Sequence, residues 1–242
     1  MTEAERWKAL AQGGRLTSTL RAEDRVTRFR PDIEYEVKLD APDHCGDDPG
    51  ELLNLVCRDI GDGHLLLDAC GTRAQMSPRY LLDGTTELSL FRYEGEDLLK
   101  IKNHEVLDLA GCPVMRSFEA FRYGRRDIDA ELARRDARPI GGLHKLRAKN
   151  FLLDLAETAV YSIAATVCVN TSGDVQRQVE IEYFGTVRPD ALPADEGDCV
   201  SSLVAVAQAV RLRSAITLTP TSARKFDLVR VAAEGRHPRE RG

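Results

Sequence analysis

The chain has 242 residues, with 34 Lys and Arg against 39 Asp and Glu, a net charge of -5, and 43% hydrophobic residues. That balance supports one globular unit with a substantial core and excludes disorder for the bulk of the chain. It also argues against a general nucleic-acid coat, although net charge does not speak to a concentrated internal patch.

The first 30 residues carry Arg15, Arg21, Arg25, Arg28 and Arg30 around a Gly13-Gly14 break. They predict a helical or flexible extension ahead of a main domain over 31–232, with a frayed tail over 233–242. From Ile33 the period is two: Ile33, Tyr35, Val37 and Leu39 alternate with Glu34, Glu36, Lys38 and Asp40. Such a strand puts both glutamates and the lysine on one face. A loop rich in Asp, Gly and Pro (Pro42 to Gly50) leads to a predicted helix near Glu51 to Asp59. The stretch from 64 to 86 carries no readable period beyond the apolar Leu65 to Leu67.

Three strands are predicted next, at Glu87 to Tyr93, Asp97 to Val106 and Val114 to Tyr123, with turn signals at Glu94-Gly95-Glu96 and Gly111-Cys112-Pro113. Arg126 to Arg138 reads as a polar helix, stopped by Pro139 and a Gly141-Gly142 turn. Strands follow at His144 to Leu153, Val160 to Val169 and Val175 to Thr186, then helices at Cys199 to Val210 and Ser222 to Val231. In the last strand Glu180 and Glu182 share a face opposite Val179, Ile181 and Tyr183.

Six cysteines, Cys45, Cys57, Cys70, Cys112, Cys168 and Cys199, form no CxxC pair, and the chain opens on no secretory signal. They read as reduced, buried thiols of a cytoplasmic protein. The most apolar stretch, Phe151 to Val169, is interrupted by Asp154 and Glu157, so no membrane span is expected. Phe118, Phe121 and Tyr123 beside Arg122 could stack on a base, but in an alternating strand core packing is the plainer reading. No phosphate-loop frame and no GxSxG nucleophile motif occurs.

Charges of one parity recur on several strands: Glu34/Glu36/Lys38, Lys100/Lys102, Arg116/Arg122, Lys145/Arg147/Lys149 and Glu180/Glu182. A solvent-washed antiparallel sheet would explain any one of these pairs. Together they are sorted by sign, with two strands of paired carboxylates among strands of paired cations. Curled into a closed barrel, such a sheet has a basic lumen with an acidic cluster. Cations would hold polyphosphate oxygens, and the carboxylates suit Mg²⁺ or Mn²⁺.

Glu34-Tyr35-Glu36-Val37-Lys38 resembles the ExExK signature of the CYTH superfamily, the triphosphate tunnel metalloenzymes, which includes class IV adenylate cyclases and thiamine, inorganic and fungal-type RNA triphosphatases. Leu99-Lys100-Ile101-Lys102 is similar to the family's basic LRIR-type strand, with Lys-x-Lys in place of Arg-x-Arg, and Arg116 stands where the next strand has its basic residue. Lys145-Leu146-Arg147 is similar to the KxR strand, Val179-Glu180-Ile181-Glu182 to the late ExE strand, and Lys225 to the C-terminal basic position.

The resemblance implies an α+β fold: a closed antiparallel β-barrel of about eight strands forming a charged tunnel, with flanking helices. It implies that Glu34, Glu36, Glu180 and Glu182 bind Mg²⁺ or Mn²⁺ and carry catalysis, and that Lys38, Lys100, Lys102, Arg116, Lys145, Arg147 and Lys225 bind phosphate. The expected partner is a small-molecule triphosphate or nucleotide, or an RNA 5′ end. The expected activity is metal-dependent hydrolysis; cyclisation of ATP to cyclic AMP and binding without turnover are the alternatives. No acid occurs within Val160 to Val169, where the family often has an Asp, so Asp154 or Glu157 would have to stand in.

Overall fold

The computed structural model describes residues 26–60, 63–66, 72–93 and 96–234. Most of the expected N-terminal extension, Cys70, the Glu94-Gly95 turn and nearly all of the expected tail lie outside the described residues. The strands are β1 (Ile33–Asp40), β2 (His64–Leu66), β3 (Thr72–Met76), β4 (Arg79–Asp83), β5 (Thr86–Tyr93), β6 (Glu96–Leu109), β7 (Cys112–Tyr123), β8 (Arg138–Asp154), β9 (Ala159–Asn170), β10 (Val175–Thr186) and β11 (Thr219–Thr221). The helices are α1 (Pro49–Cys57), α2 (Arg125–Ala133), α3 (Glu196–Arg213) and α4 (Lys225–Glu234).

Eight antiparallel strands close a ring in the order β10-β9-β8-β4-β5-β6-β7-β1, with β1 returning to β10. The expected fold class is therefore observed: a closed antiparallel ring with flanking helices. Short β2 and β3 also pair with β8, off that order, and β11 pairs with β1. No helix among the described residues is long and apolar enough to cross a membrane.

The period-two strands decide what faces where. Tyr35, Val37 and Leu39 on β1 and Val179 and Ile181 on β10 pack in one buried cluster with Leu52 and Val56 of α1 and Leu203 and Ala207 of α3. The main core thus lies outside the ring, between the sheet and two helices. Residues of the other parity, the charged ones, turn inward. Asp48 caps α1, accepting from the Gly50 amide at 2.6 Å, with Pro49 at the first helical position. Asp195 caps α3, and acids in its first turn with Arg211 and Arg213 in its last match the helix dipole.

Two predicted elements differ. The polar helix stops at Ala133, and Arg138 already belongs to β8. Pro139 sits in that strand where the β4–β8 register shifts, a place that tolerates a missing donor. Gly141-Gly142 is likewise strand and not a turn. Gly141 has φ +148°, and a Cβ there would lie 2.9 Å from Val229 Cγ1 of α4, so the glycine lets that helix lie close. Cys45, Cys112, Cys168 and Cys199 are free and buried, as expected, and Cys57 is buried too.

Gly185 marks a register shift in the β9–β10 ladder and has φ +150°. A Cβ on it would meet the Thr27 carbonyl oxygen at 2.5 Å. That carbonyl accepts from the Thr186 amide, and the Thr27 amide donates back to Thr186, tying the segment before β1 to the ring. Gly185→Ala is expected to cost about 2–4 kcal/mol through strain and loss of this bridge. Urea denaturation checks it, and an unchanged midpoint would refute the tight approach.

Candidate functional site

The ring encloses a cavity of about 1210 Å³. Among the described residues nine Lys and Arg side chains and eight carboxylates line it, so its walls come close to charge balance. Ten of the eleven sequence-predicted site residues are among them: Glu34, Glu36 and Lys38 from β1, Lys100 and Lys102 from β6, Lys145 and Arg147 from β8, Glu180 and Glu182 from β10, and Lys225 from the start of α4. Glu36 lies directly across from Glu182 in the β1–β10 ladder, and Lys38 across from Glu180. Four carboxylates on two neighbouring strands therefore form one inward patch.

Arg116 is the exception. Glu34 pairs with Ser117 and outward-facing Tyr35 pairs with Arg116. The register thus turns Arg116 away from the lumen, where it meets Glu105 and Glu196, each at 3.1 Å. It ties β7 to the start of α3 and is not a lumen cation. The acid substitutes expected before β9 also lie elsewhere. Asp154 accepts from the Ala156 and Glu157 amides, and Glu157 accepts from Ser202 on α3.

Most lumen ions are matched in pairs. Lys102 donates to Glu34 at 2.7 Å and meets Glu119 at 2.5 Å; Lys100 meets Glu119 at 2.6 Å; Lys38 meets Glu36 at 3.1 Å; Lys149 meets Glu182 at 3.8 Å; Lys225 pairs with Glu180. Burial pushes the Glu34 carboxyl up, but Lys102 and Lys100 outweigh it and hold the group well below the usual carboxylate range. Burial acts the same way on Glu180, where Lys225 and Lys145 prevail and hold it low. Burial, with the charge of Lys102, pulls Lys100 down to about 8.

Lys145 and Arg147 are different. Neither forms an ion pair among the described residues, and Arg147 Nε is buried without a hydrogen-bond partner. Burial, with the charges of Lys225 and Arg147, holds the Lys145 ammonium well below its ordinary value. Two neighbouring inward cations on β8 thus have no ion pair of their own among the described residues, and the carboxylate that acts on both, Glu180, is already paired with Lys225.

The lumen also holds groups that sequence reasoning missed. Glu119 on β7 bridges both lysines of β6. Arg224 meets Glu87 at 2.6 Å, Glu87 meets His104 Nε2 at 2.9 Å, and His104 Nδ1 lies 2.8 Å from Ser117 Oγ. Ser117 is fully buried, so this chain is a staple from the residue before α4 across β5 and β6 to β7, not an accessible nucleophile. Phe118, Phe121 and Tyr123 are 42%, 38% and 57% exposed, not core as expected. Phe121 and Tyr123 line the cavity, while Phe118 lies under the outward Arg116 guanidinium, 5.0 Å from ring centre to carbon.

No family model matches the chain, and no curated protein matches it. Among solved structures, the S. pombe Pct1 RNA triphosphatase is similar in two forms. In complex with the Spt5 CTD it has 10% identity and a TM-score of 0.39, covering 86% of this chain and 92% of that chain. By itself it has 10% identity and a TM-score of 0.38 with the same coverage.

Proposed function

We propose that the lumen hydrolyses the terminal phosphoanhydride of a triphosphate-bearing substrate with the help of a divalent metal. The observation that carries this reading is the unmatched pair Lys145 and Arg147 on the lumen wall, beside carboxylates already neutralised by other cations. Such cations call for an anion, and Arg147 can bind two phosphate oxygens at once.

Charge balance argues for a metal as well. A triphosphate brings roughly four negative charges, and a lining of nine cations against eight acids has only one to spare. The donor set fits Mg²⁺ or Mn²⁺, since Glu34, Glu36, Glu180 and Glu182 offer hard oxygens from rigid neighbouring strands. As the described residues lie, no three His, Cys, Asp or Glu are placed to hold one metal ion, and each of these carboxylates pairs with a lysine. The incoming phosphates would draw lysines off the carboxylates and free their oxygens for the cation. A bound divalent ion would supply Lewis-acid polarisation of the phosphoryl group.

The chain's own residues would do the rest. Lys145, Arg147 and Lys100 fix the phosphates and stabilise charge that develops on the bridging oxygen. A water oxygen bonds to the terminal phosphorus as the bond to the bridging oxygen breaks, and the water's proton leaves with the released phosphate or to solvent. The enclosing ring limits other water.

Phosphate release from tripolyphosphate and ATP, with Mg²⁺ or Mn²⁺ and with chelator, tests the reading. Release that chelator abolishes is the expected result. Cyclic AMP and pyrophosphate from ATP would replace hydrolysis with cyclisation, and tight binding without product in either metal would leave a binding module.

A further inference from the structure

The lumen wall is graded along its strands. The registers of β5, β6 and β7 stack three inward tiers: Glu87, Lys102 and Glu119; then Ser89, Lys100 and Phe121; then Phe91, Leu98 and Tyr123. At roughly 3.4 Å per residue, successive tiers are about 7 Å apart along a strand. The first tier is ionic, the second mixed and the third apolar.

A site for phosphates alone has no use for an apolar third tier. Phe121 and Tyr123 stay 38% and 57% exposed on the cavity wall, with ring centres 6.5 Å apart and planes inclined by 30°. Exposed rings that large and nearly parallel form a platform. Lys100 joins it to the ionic tier, with Nζ 5.5 Å from the Phe121 ring centre and 2.6 Å from Glu119. The ladder thus runs from the charged lumen, which Lys145 and Arg147 also line, to ring-binding chemistry in two steps, the order in which a nucleotide carries phosphates, sugar and base.

We infer that Phe121 and Tyr123 are a stacking shelf for the base of a nucleoside 5′-triphosphate whose phosphates meet Lys100, Lys145 and Arg147 in the lumen. This rests on the triphosphate reading above and narrows it: the substrate carries a planar ring, so inorganic triphosphate is a fragment of it. The same chemistry is offered by a free nucleotide and by the 5′ end of an RNA.

The test measures binding by the full chain, with Mg²⁺, of tripolyphosphate, ATP and a short 5′-triphosphate oligoribonucleotide. It compares wild type, Phe121→Ala/Tyr123→Ala and Phe121→Tyr/Tyr123→Trp. Losing a stacked aromatic weakens base binding by about ten-fold or more. The double alanine variant is therefore expected to lose at least ten-fold in affinity for ATP, and the aromatic variant to keep it. Tripolyphosphate affinity should stay within about two-fold in both, which also reports that the variants are folded.

With 2-aminopurine riboside triphosphate as probe, fluorescence quenching on binding is expected in wild type and not in the double alanine variant. Whichever of ATP and the oligoribonucleotide displaces the probe at lower concentration identifies the source. If wild type binds tripolyphosphate but the alanine variant binds ATP as wild type does, the shelf is refuted and the triphosphate site stands. If wild type binds none of the three, both fall together.

Discussion

Glu36→Gln and Glu182→Gln are each expected to reduce metal-dependent phosphate release at least 100-fold. The two carboxylates face each other across the β1–β10 ladder at the centre of the inward acidic patch. Glutamine keeps the shape and removes the charge. A 100-fold loss corresponds to about 2.7 kcal/mol of transition-state stabilisation, in the range for one preorganised electrostatic group. The substitutions also separate two effects that a merely structural role would merge. Each adds one unit of positive charge to a lumen that needs anions, so tripolyphosphate affinity without metal should not weaken. Stability should fall by no more than about 1–3 kcal/mol, because Lys38 or Lys149 loses a partner. Turnover within ten-fold of wild type in both variants would remove these residues from the reaction.

Lys225→Met and Lys145→Met are expected to change the stability of the ligand-free protein in opposite directions, although both delete a lumen lysine. Lys225 is the direct ion partner of Glu180, which is only 6% exposed. Its removal strands a buried carboxylate and should cost about 3–5 kcal/mol. Lys145 has no carboxylate partner, and its ammonium is held below the ordinary lysine value by burial and by Lys225 and Arg147. A lysine shifted that way opposes folding at neutral pH, where the unfolded chain keeps the proton; the penalty fades as pH rises toward the ordinary value. Lys145→Met should therefore gain about 1–2 kcal/mol near pH 7 while weakening tripolyphosphate binding about ten-fold. Urea titrations of the three proteins, with and without tripolyphosphate, read both effects. Stability changes of the same sign would mean that Lys145 is compensated in the lumen and that the anion argument fails.

The parts of this architecture that were legible in the sequence are those with one dry face and one ionic face. On β1 and β10 the alternation of Tyr35, Val37 and Leu39 with Glu34, Glu36 and Lys38, and of Val179 and Ile181 with Glu180 and Glu182, assigns each residue to the helix-covered side or the lumen. On β7 that contrast is lost. Val114, Met115 and Ser117 are all buried, and charges occur at both parities, as Arg116, Glu119 and Arg122. The pairings of Glu34 with Ser117 and of Lys102 with Glu119 fix which parity faces inward, and pairing is not written in composition. Arg116 was misplaced and Glu119 missed for the same reason. β5 hid Glu87 because its inward row, Glu87, Ser89 and Phe91, mixes an acid, a hydroxyl and a ring. The short β2, β3 and β4 leave too few residues for any period to show, and their places are set by the long edge of β8.

Because the ring is completed by β1 pairing with β10, its last seam joins the beginning of the domain to a strand that a ribosome delivers much later. Val37 meets Ile181, and until the later strand exists that flank of β1 offers unpaired backbone groups and uncovered side chains. Loop closure over such a separation is entropically costly and slow, so the seam belongs to the late steps of folding. The lumen comes into being at the same moment, since the acids of β1 and β10 become neighbours only when the two strands pair. The acidic face of the lumen thus waits for β10, and in the finished ring Glu36 to Asp40 of β1 are paired on that flank, leaving those residues no edge on which a second copy could add a strand.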